Sequence, residues 1–546
     1  MSLVAKSTLL SSTRLREIHR EIAWYYDQIA LLKAEANSHS LILALPTEIT
    51  SKIFASYAFG SGTRLDLRWT QVMLVCRRWY NIALGEPELW ATIEISPAMT
   101  PAFFDAILSR SGVAPLSFRI TSFGPEVFAS QLLQQEISAS QLLQQVGRLR
   151  EVDHRGAPQS IMDFIRALPR HKFPVLRSLR LASDHNYTLR VPDTMFDGRA
   201  PYLTTLELHY VDANWKLIHG LTVLSLAQRI GIPMDQLLPM LQRSPALTHL
   251  NVGHVTSTES PAPYPVVSLP LLQSLCIEGW VGPCEELLRH LTIPPSARLS
   301  VDAGDGWDNY VGKLTRLLVP FGQHLRAASA PTIRCLRLDC TFNSNGFKIS
   351  TYAAVPRLST SDADEPLFSI TTYPRAHSLP QIIAPILGIL SDRGITHLDC
   401  RNRMPQFTTL KAWKAALGLL PALEGVYIVP SITAVRVLQA LSQLADTRLR
   451  HIHITASRVS GDDKFDTRPL VLKELRQLLS LIHVRGAPLE MLEVSESMET
   501  HLDFDEESWD SLSRLVGTLV RNDDVYIVPG WCCWGKASPT RIIELS

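Results

Sequence analysis

The sequence contains few cysteines, and none of them are spaced as metal ligands usually are. Eight occur among 546 residues, at positions 76, 276, 284, 335, 340, 400, 532 and 533, without a C-x-x-C motif. This number is too low for a disulfide-stabilised scaffold, and the spacing does not predict a zinc ribbon. We therefore expect reduced thiols in an intracellular protein.

The sequence also lacks an excess of charge of either sign. Lysine and arginine total 53 against 52 aspartate and glutamate residues, a net charge of +1. A nearly neutral chain is not expected to bind nucleic acid or a membrane surface through bulk electrostatics.

No long hydrophobic run occurs. The longest charge-free stretch of note, 376–391, contains polar residues and two prolines, so it is too short and too interrupted for the roughly 20 apolar residues that span a membrane. The first 19 residues contain no apolar run of signal-peptide length. We expect a soluble protein of the cytoplasm, the nucleus or both.

Common catalytic motifs are missing as well. Neither G-x-S-x-G nor H-E-x-x-H occurs. Residues 530–537 fit a phosphate-binding loop except that Ala537 replaces its magnesium-binding hydroxyl residue, and only nine residues follow. Asp302, Asp305 and Asp308 lack the spacing of a calcium loop, and the acidic stretch 503–507 suits a solvated turn. The sequence predicts no enzyme, metal or cofactor.

An apolar stripe with a period of 3.5 residues predicts a helix over residues 13–36. The stripe consists of Leu15, Ile18, Ile22, Tyr25, Ile29, Leu32 and Ala36. Such a heptad pattern is typical of a short coiled coil that self-associates or binds a partner. Three heptads are marginal for an independent coiled coil, so packing of the helix on its own domain remains an equal alternative.

The segment 41–95 predicts a small all-helical unit. Pro46 suits a helix start, and a second helix carries an apolar stripe and ends near Gly85. That stripe comprises Val72, Val75, Cys76, Trp79 and Ala83. Thr92–Ile95 then resembles a short strand. A unit of about 50 residues cannot bury this many apolar side chains internally, which favours a partner surface.

From about residue 101 the template L-x-x-L-x-[LIV] recurs. Clear examples begin at Leu176, Leu203, Leu247 and Leu272, most first leucines are separated by about 26 residues, and amphipathic helices such as 234–245 and 284–295 lie between copies. This pattern is typical of leucine-rich repeats, whose stacked units share one core. An ordinary α/β domain with leucine-rich strands is the alternative.

These patterns divide the chain into three regions. We predict an α/β protein with an N-terminal helix over 1–37, a small all-α three-helix domain over 38–96, and an irregular solenoid of strand-plus-helix units over 97–546. The stretches 341–374 and 455–468 break the repeat pattern and are predicted to be inserted loops. A ten-residue tandem duplication within 126–145 is predicted to lengthen one helix.

The segment LPTEITSKIF…VCRRWYNIALGEPELW resembles an F-box. It has the family's Leu-Pro-x-Glu start, an apolar pair ending the first helix, Val-Cys-x-x-Trp and a final Leu-Trp, although the link between the halves is longer than usual. The combination of N-terminal helix, F-box and irregular leucine-rich array resembles the large F-box families of mushroom-forming fungi.

The resemblance implies a substrate receptor of a Skp-cullin-F-box ubiquitin ligase. The F-box would bind a Skp-type adaptor and, through it, a cullin, while the repeats would bind an unidentified protein target. The implied adaptor contacts are Leu45, Pro46, Ile49, Ile53, Val75, Cys76, Trp79, Leu89 and Trp90. The alternative is an interaction scaffold outside any ligase, with self-association through residues 13–36.

Target binding would use the strand residues between the repeat leucines, because these side chains point away from the shared core. Candidate positions are Arg177, Arg180, Thr205, Glu207, Thr248, Asn251, Arg334 and Arg337. Their mixed charge indicates no particular class of ligand.

Overall fold

The computed structural model describes residues 3–59, 67–95, 99–121, 144–167, 172–184, 189–193, 196, 198–256, 264–304, 310–327, 329–340, 347–355, 365–373, 379–401, 409–444, 448–455, 467–486, 489–495 and 506–522. The chain forms two compact units, Met1–Leu217 and Ile218–Ser546. The first unit contains the N-terminal helices together with the first repeats.

The first unit begins with helices. They are α1 (Leu3–Ser38), a 3-10 helix (Leu41–Ala44), α2 (Thr47–Phe59), a second 3-10 helix (Leu67–Leu74), α3 (Arg77–Gly85) and the single turn α4 (Pro87–Trp90). Helix α1 begins ten residues before the predicted start, since the apolar stripe marks only the amphipathic part of a longer helix.

A parallel ladder follows in the same unit. Its strands, in spatial order, are β1 (Thr92–Ile95), β2 (Leu116–Thr121), β3 (Leu149–Gly156), β4 (Ser178–Ser183) and β6 (Thr205–His209). Two short strands, β5 (Leu189–Arg190) and β7 (Val211–Asp212), pair separately. Helices α5 (Pro101–Arg110) and α6 (Pro158–Ala167) occupy two of the connections, as parallel pairing requires a crossover.

The second unit continues the same construction. Its strands are β8 (Val223–Pro233), β9 (His249–Thr256), β10 (Val267–Ser268), β11 (Ser274–Trp280), β12 (Leu291–Thr292), β13 (Arg298–Gly304), β14 (Cys335–Cys340), β15 (Phe347–Tyr352), β16 (Phe368–Thr372), β17 (His397–Cys400), β18 (Gly425–Ile428), β19 (His451–Thr455), β20 (Leu489–Ser495) and β21 (Val516–Asn522). Its helices are α7 (Met234–Gln242), α8 (Val281–Arg289), α9 (Tyr310–Arg326), α10 (Leu379–Leu390), α11 (Leu410–Gly418), α12 (Ile432–Ser442), α13 (Arg468–Val484) and α14 (Glu506–Ser513).

The repeat leucines form the core of both units. In β4 the burial alternates along the strand, with Leu179 and Leu181 almost fully buried. Neighbouring strands place their leucines in the same register, for example Leu179 beside Leu206. Because alternate strand residues point to opposite faces, one face of each ladder is apolar and covered while the other is polar. We call this second surface the polar strand face.

The stretch 341–374 is not the loop that we predicted. It contains the antiparallel strands β15 and β16, which lie between β13 and β14 in the sheet. The alternating apolar residues Phe347 and Ile349 in β15, and Phe368 and Ile370 in β16, are buried. Its polar composition suggested a loop because lysine, serine and threonine fill most of the other positions of the two strands.

The long step between repeats at 272 and 333 contains a strand that the template did not reveal. Strand β13 presents Leu299 and Val301 to the core and pairs with β11 in register. The step is therefore a doubled repeat, as its length suggested.

Three predictions fall outside the described residues: the phosphate-loop-like segment 530–537, most of the duplication 126–145, and most of the inserted loop 455–468. Across the described residues, the structure has mixed helix and strand content, with N-terminal helices followed by a long series of mainly parallel strands. No described helix is long and apolar enough to cross a membrane.

Candidate functional site

Helix α2 carries two apolar stripes side by side. Thr50, Phe54 and Ala58 are buried. Ile49, Ile53 and Tyr57, each one residue earlier, are 42%, 42% and 56% exposed. Both sets repeat every four residues, so each occupies one side of the helix. One stripe holds α2 on its domain, and the other presents apolar surface to water.

The residues before α2 are held by an arginine that the sequence analysis did not identify as important. Arg78, in α3, donates hydrogen bonds from its guanidinium to the backbone carbonyls of Leu43 and Leu45. The carbonyl of Pro46 accepts from the amides of Ile49 and Thr50, so Pro46 lies immediately before the helix rather than in its first turn. These bonds fix Leu45 and Pro46 beside the exposed stripe of α2.

The predicted second helix is interrupted. Residues 67–74 form a 3-10 helix, and α3 starts only at Arg77, with Cys76 as its N-cap residue. The Sγ atom of Cys76 accepts from the amide of Trp79 at 3.5 Å. The break prevents the predicted single stripe from 72 to 83, and it leaves Val75 at the junction with 58% of its surface exposed.

Trp79 connects the two helices. Its ring packs edge-to-face on Phe54 of α2, with the centroids 5.1 Å apart, and the side chain is half-buried. Such an aromatic pair fixes the separation of α2 and α3 and contributes beyond its buried area. The predicted contact residues on both helices are therefore held by one packed ring pair.

Leu89 and Trp90 require a correction. We expected both among the adaptor contacts, but each is only 2% exposed. The indole N–H of Trp90 donates to the carbonyl of Ala83 at 2.8 Å, and its ring packs against Trp69. Burial makes them core residues that attach α4 to α3.

Outside α1, the exposed large apolar side chains of the described residues are concentrated in this region. Between residues 41 and 80 they are Leu41, Ile42, Ile49, Ile53, Tyr57, Phe59, Leu74, Val75 and Tyr80. The described part of the second unit, although far longer, exposes only Val266, Leu271, Trp280, Val319, Leu470 and Val484. An apolar concentration of this kind marks a surface for protein contact.

The polar strand face is the second candidate surface. None of the eight strand-associated positions predicted to face outward is buried. In the first unit the register aligns one charged residue from each strand of the ladder. The row is Glu94, Arg119, Asp153, Arg180 and Glu207.

The signs in this row alternate. Arg119 lies 3.7 Å from Asp153, and Arg180 lies 2.9 Å from Glu207. Arg155 adds a further contact of 2.9 Å to Asp153. Neighbouring charges thus neutralise each other, which leaves a polar surface without a dominant field.

The corresponding row in the second unit surrounds a buried carboxylate. Asp399 accepts from Arg401 at 2.6 and 2.8 Å and from Arg337 at 2.9 Å. Burial raises the pKa of Asp399, but the hydrogen bonds and charges of the two arginines outweigh it and hold this pKa below its usual value. Arg401 also stacks over Tyr427, 5.0 Å from the ring centroid.

The row continues as a hydrogen-bonded chain. His453 stacks on Tyr427 and lies 2.8 Å from Glu493 through Nδ1 and 3.3 Å from Ser495 through Nε2. Serine, histidine and carboxylate in this order resemble a nucleophilic triad. However, Ser495 is 2% exposed, so a substrate could not reach its hydroxyl. These hydrogen bonds satisfy buried polar groups instead.

The described part of the chain contains no group of three or more potential metal ligands. Asp302 accepts a hydrogen bond from the Tyr373 hydroxyl at 3.0 Å. Asp305 and Asp308, which were considered with it as calcium ligands, fall outside the described residues. Cys76, Cys276, Cys284, Cys335 and Cys400 are free thiols, and burial raises the pKa of Cys284 and Cys335 to about 12. Such thiols are poor nucleophiles.

Comparison with known proteins gives a family match within the helical region. Residues 42–96 match the F-box-like family model. A comparison with curated proteins gives no match. Among solved structures, the leucine-rich repeat-containing protein LegL7 from Legionella pneumophila is similar over 58% of this chain and 89% of its own, with 14% identity and a TM-score of 0.28. The family match shows an F-box-like domain, and the series of mainly parallel strands follows it in the chain.

Proposed function

We propose that the chain is the substrate-recognition subunit of a Skp-cullin-F-box ubiquitin ligase. The observation that carries this proposal is the exposed apolar stripe of α2 within the segment that matches the F-box-like model. The adaptor-contact set is Leu45, Pro46, Ile49, Ile53, Val75, Cys76 and Trp79, supported from behind by the buried Leu89 and Trp90.

In this proposal the chain performs no covalent chemistry. The F-box-like domain binds a Skp-type adaptor, which connects it to a cullin, and the polar strand face binds the protein target. The contribution to ubiquitin transfer is an increased local concentration of target near the ubiquitin donor. The complex would act in the cytoplasm, the nucleus or both.

The experiment is co-expression of the full chain with a eukaryotic Skp-type adaptor, followed by size-exclusion chromatography. We expect a stoichiometric complex, and we expect Pro46→Asp combined with Ile49→Asp to abolish it, because charged side chains in a desolvated apolar contact are costly.

The matched control is Val484→Asp. Val484 is 83% exposed but lies on α13, far along the chain from the F-box-like domain. It receives the same apolar-to-acidic change and should leave adaptor binding intact. A well-folded wild-type chain that ignores the adaptor would refute the ligase proposal.

A second candidate is a protein-interaction scaffold outside any ligase. It is favoured by α1, whose large apolar residues are exposed between Leu15 and Leu32. Removal of residues 1–37 would abolish self-association in this case while leaving the repeats folded, as measured by light scattering and circular dichroism.

A further inference from the structure

Helix α1 exposes its whole heptad stripe. Leu15, Ile18, Ile22, Tyr25, Ile29 and Leu32 are each between 38% and 65% exposed. Repeated spacings of three and four place them on one side of the helix, as in a coiled-coil seam. Residues 15–32 span about 27 Å at 1.5 Å per residue. Among the residues that the structure describes, the stripe therefore forms a continuous and largely exposed apolar surface.

We propose that this stripe binds the same stripe of a second copy in antiparallel orientation. The seam would then contain six layers, because each of three pairings occurs twice by symmetry. The pairings are Leu15 with Leu32, Ile18 with Ile29, and Ile22 with Tyr25. This register pairs each of these six seam residues of one copy with an apolar residue of the other and leaves Ala36, the last residue of the stripe, outside the six layers.

The flanking charges select the orientation. In the antiparallel register, Arg14 of one copy lies beside Glu35 of the other, and this attractive pair occurs twice. Glu21 lies beside Gln28, which is neutral. Sliding the helices by one heptad in either direction instead opposes glutamates, Glu21 with Glu35 or Glu21 with itself. Opposite charges beside the seam determine orientation and register in coiled coils.

A parallel pair lacks this complementarity. It would place Arg14 beside His19, Glu21 beside Tyr26, and Gln28 beside Lys33 of the second copy. None of these is an attractive ion pair. Arg14 already contacts Glu17 of its own helix at 3.2 Å, but both side chains are exposed, so the contact can be shared or exchanged at little cost.

Antiparallel pairing has a consequence for the domain that follows. The centre of the seam lies between Ile22 and Tyr25, and α1 ends at Ser38. The two helix ends would be about 40 Å apart at 1.5 Å per residue. Each copy would therefore present its F-box-like domain at an opposite end of the pair. The pairing itself does not depend on adaptor binding.

The orientation can be tested by disulfide trapping in the full chain without adaptor. A chain with Leu15→Cys is mixed with a tagged chain carrying Leu32→Cys under mild oxidation. We expect the mixed disulfide to dominate and to be absent from the wild-type control. A predominant homodisulfide through position 15 would show a parallel pair and overturn the proposal.

Charge exchange provides an independent test by analytical ultracentrifugation. Arg14→Glu should raise the dimer dissociation constant about 5- to 10-fold, since two pairs become repulsive. Adding Glu35→Arg should restore it, whereas Arg20→Glu, on the face opposite the seam, should change little. A wild-type chain that stays monomeric at tens of micromolar, or a double variant that is not restored, would refute the antiparallel dimer.

Discussion

The F-box-like domain and the repeats use similar apolar residues in opposite ways. In the repeats, leucines at alternate strand positions such as Leu275 are fully buried. In α2, Ile53 is 42% exposed while its neighbour Phe54 is 1% exposed. The repeats stack, so each repeat covers the apolar residues of the next. The small helical domain has no such neighbour on its outer face and keeps an uncovered surface that suits a partner.

The repeats and the F-box-like domain also differ in their polar groups. The repeats bury a carboxylate and a histidine, and each depends on its surroundings for its ionisation state. The exposed stripe of α2, formed by Ile49, Ile53 and Tyr57, contains neither a carboxylate nor a histidine. Changes in the repeats should therefore act on stability, whereas changes in the stripe should act on binding.

The largest effect on stability is expected at Asp399. Asp399→Ala removes the carboxylate and leaves Arg401, which is 8% exposed, without its main counter-charge. Breaking a buried ion pair from one side typically costs about 3–5 kcal/mol. Urea denaturation followed by circular dichroism should show this loss. The double change Asp399→Ala with Arg401→Leu should recover part of it, and failure to recover would argue against a buried pair.

A somewhat smaller effect is expected from acidification. Burial lowers the pKa of His154 from 6.5 to about 4, opposed by the charge of Asp153. Below pH 6.5 the unfolded chain binds a proton that the native chain rejects, so stability falls as the pH decreases from 6.5 towards 4. The difference in pKa corresponds to roughly 3 kcal/mol.

The control for this prediction is His154→Gln, which cannot titrate and retains a polar group near Ser160, whose hydroxyl lies 3.1 Å from Nε2. Its stability should depend less on pH between 6.5 and 4. Equal slopes for both proteins in this interval would contradict a lowered pKa at His154.

The smallest effect on stability is expected at the exposed stripe. Ile53→Ala should change the free energy of unfolding by less than about 0.5 kcal/mol, because the side chain already contacts water. Phe54→Ala, one residue later, should cost about 3–5 kcal/mol by leaving a cavity beside Trp79. If the two variants were equally destabilised, the contrast between the stripes of α2 would not hold.

Much of this architecture could be predicted from spacing. The spacing of the repeat leucines predicted the strands, because strand positions follow a local periodicity. The F-box-like domain was predicted in a different way, from the resemblance of the motif around Leu45, Pro46, Val75 and Trp79 to a known family. Spacing did not predict Arg78, whose role depends on backbone carbonyls more than 30 residues away. It also could not separate exposed from buried apolar residues, so Leu89 and Trp90 were placed on the wrong side.

The prediction of a loop over residues 341–374 was wrong for a different reason. Strands β15 and β16 combine apolar residues with lysine, serine and threonine, and their composition alone suggested a loop. Their pairing with β13 and β14 depends on residues far away in sequence. No local window contains this information.

The inserted strands β15 and β16 also determine the order in which the second unit can assemble during synthesis. Most neighbours in the sheet are synthesised about one repeat apart, as with Ser225 and Asn251, 26 residues apart. Ser300 of β13 instead pairs with Ser369 of β16, which is synthesised 69 residues later, and Arg337 of β14 pairs with Asp399 of β17, 62 residues later. Growth by simple addition of repeats is therefore interrupted between β13 and β17, a region of high local contact order where folding is expected to slow.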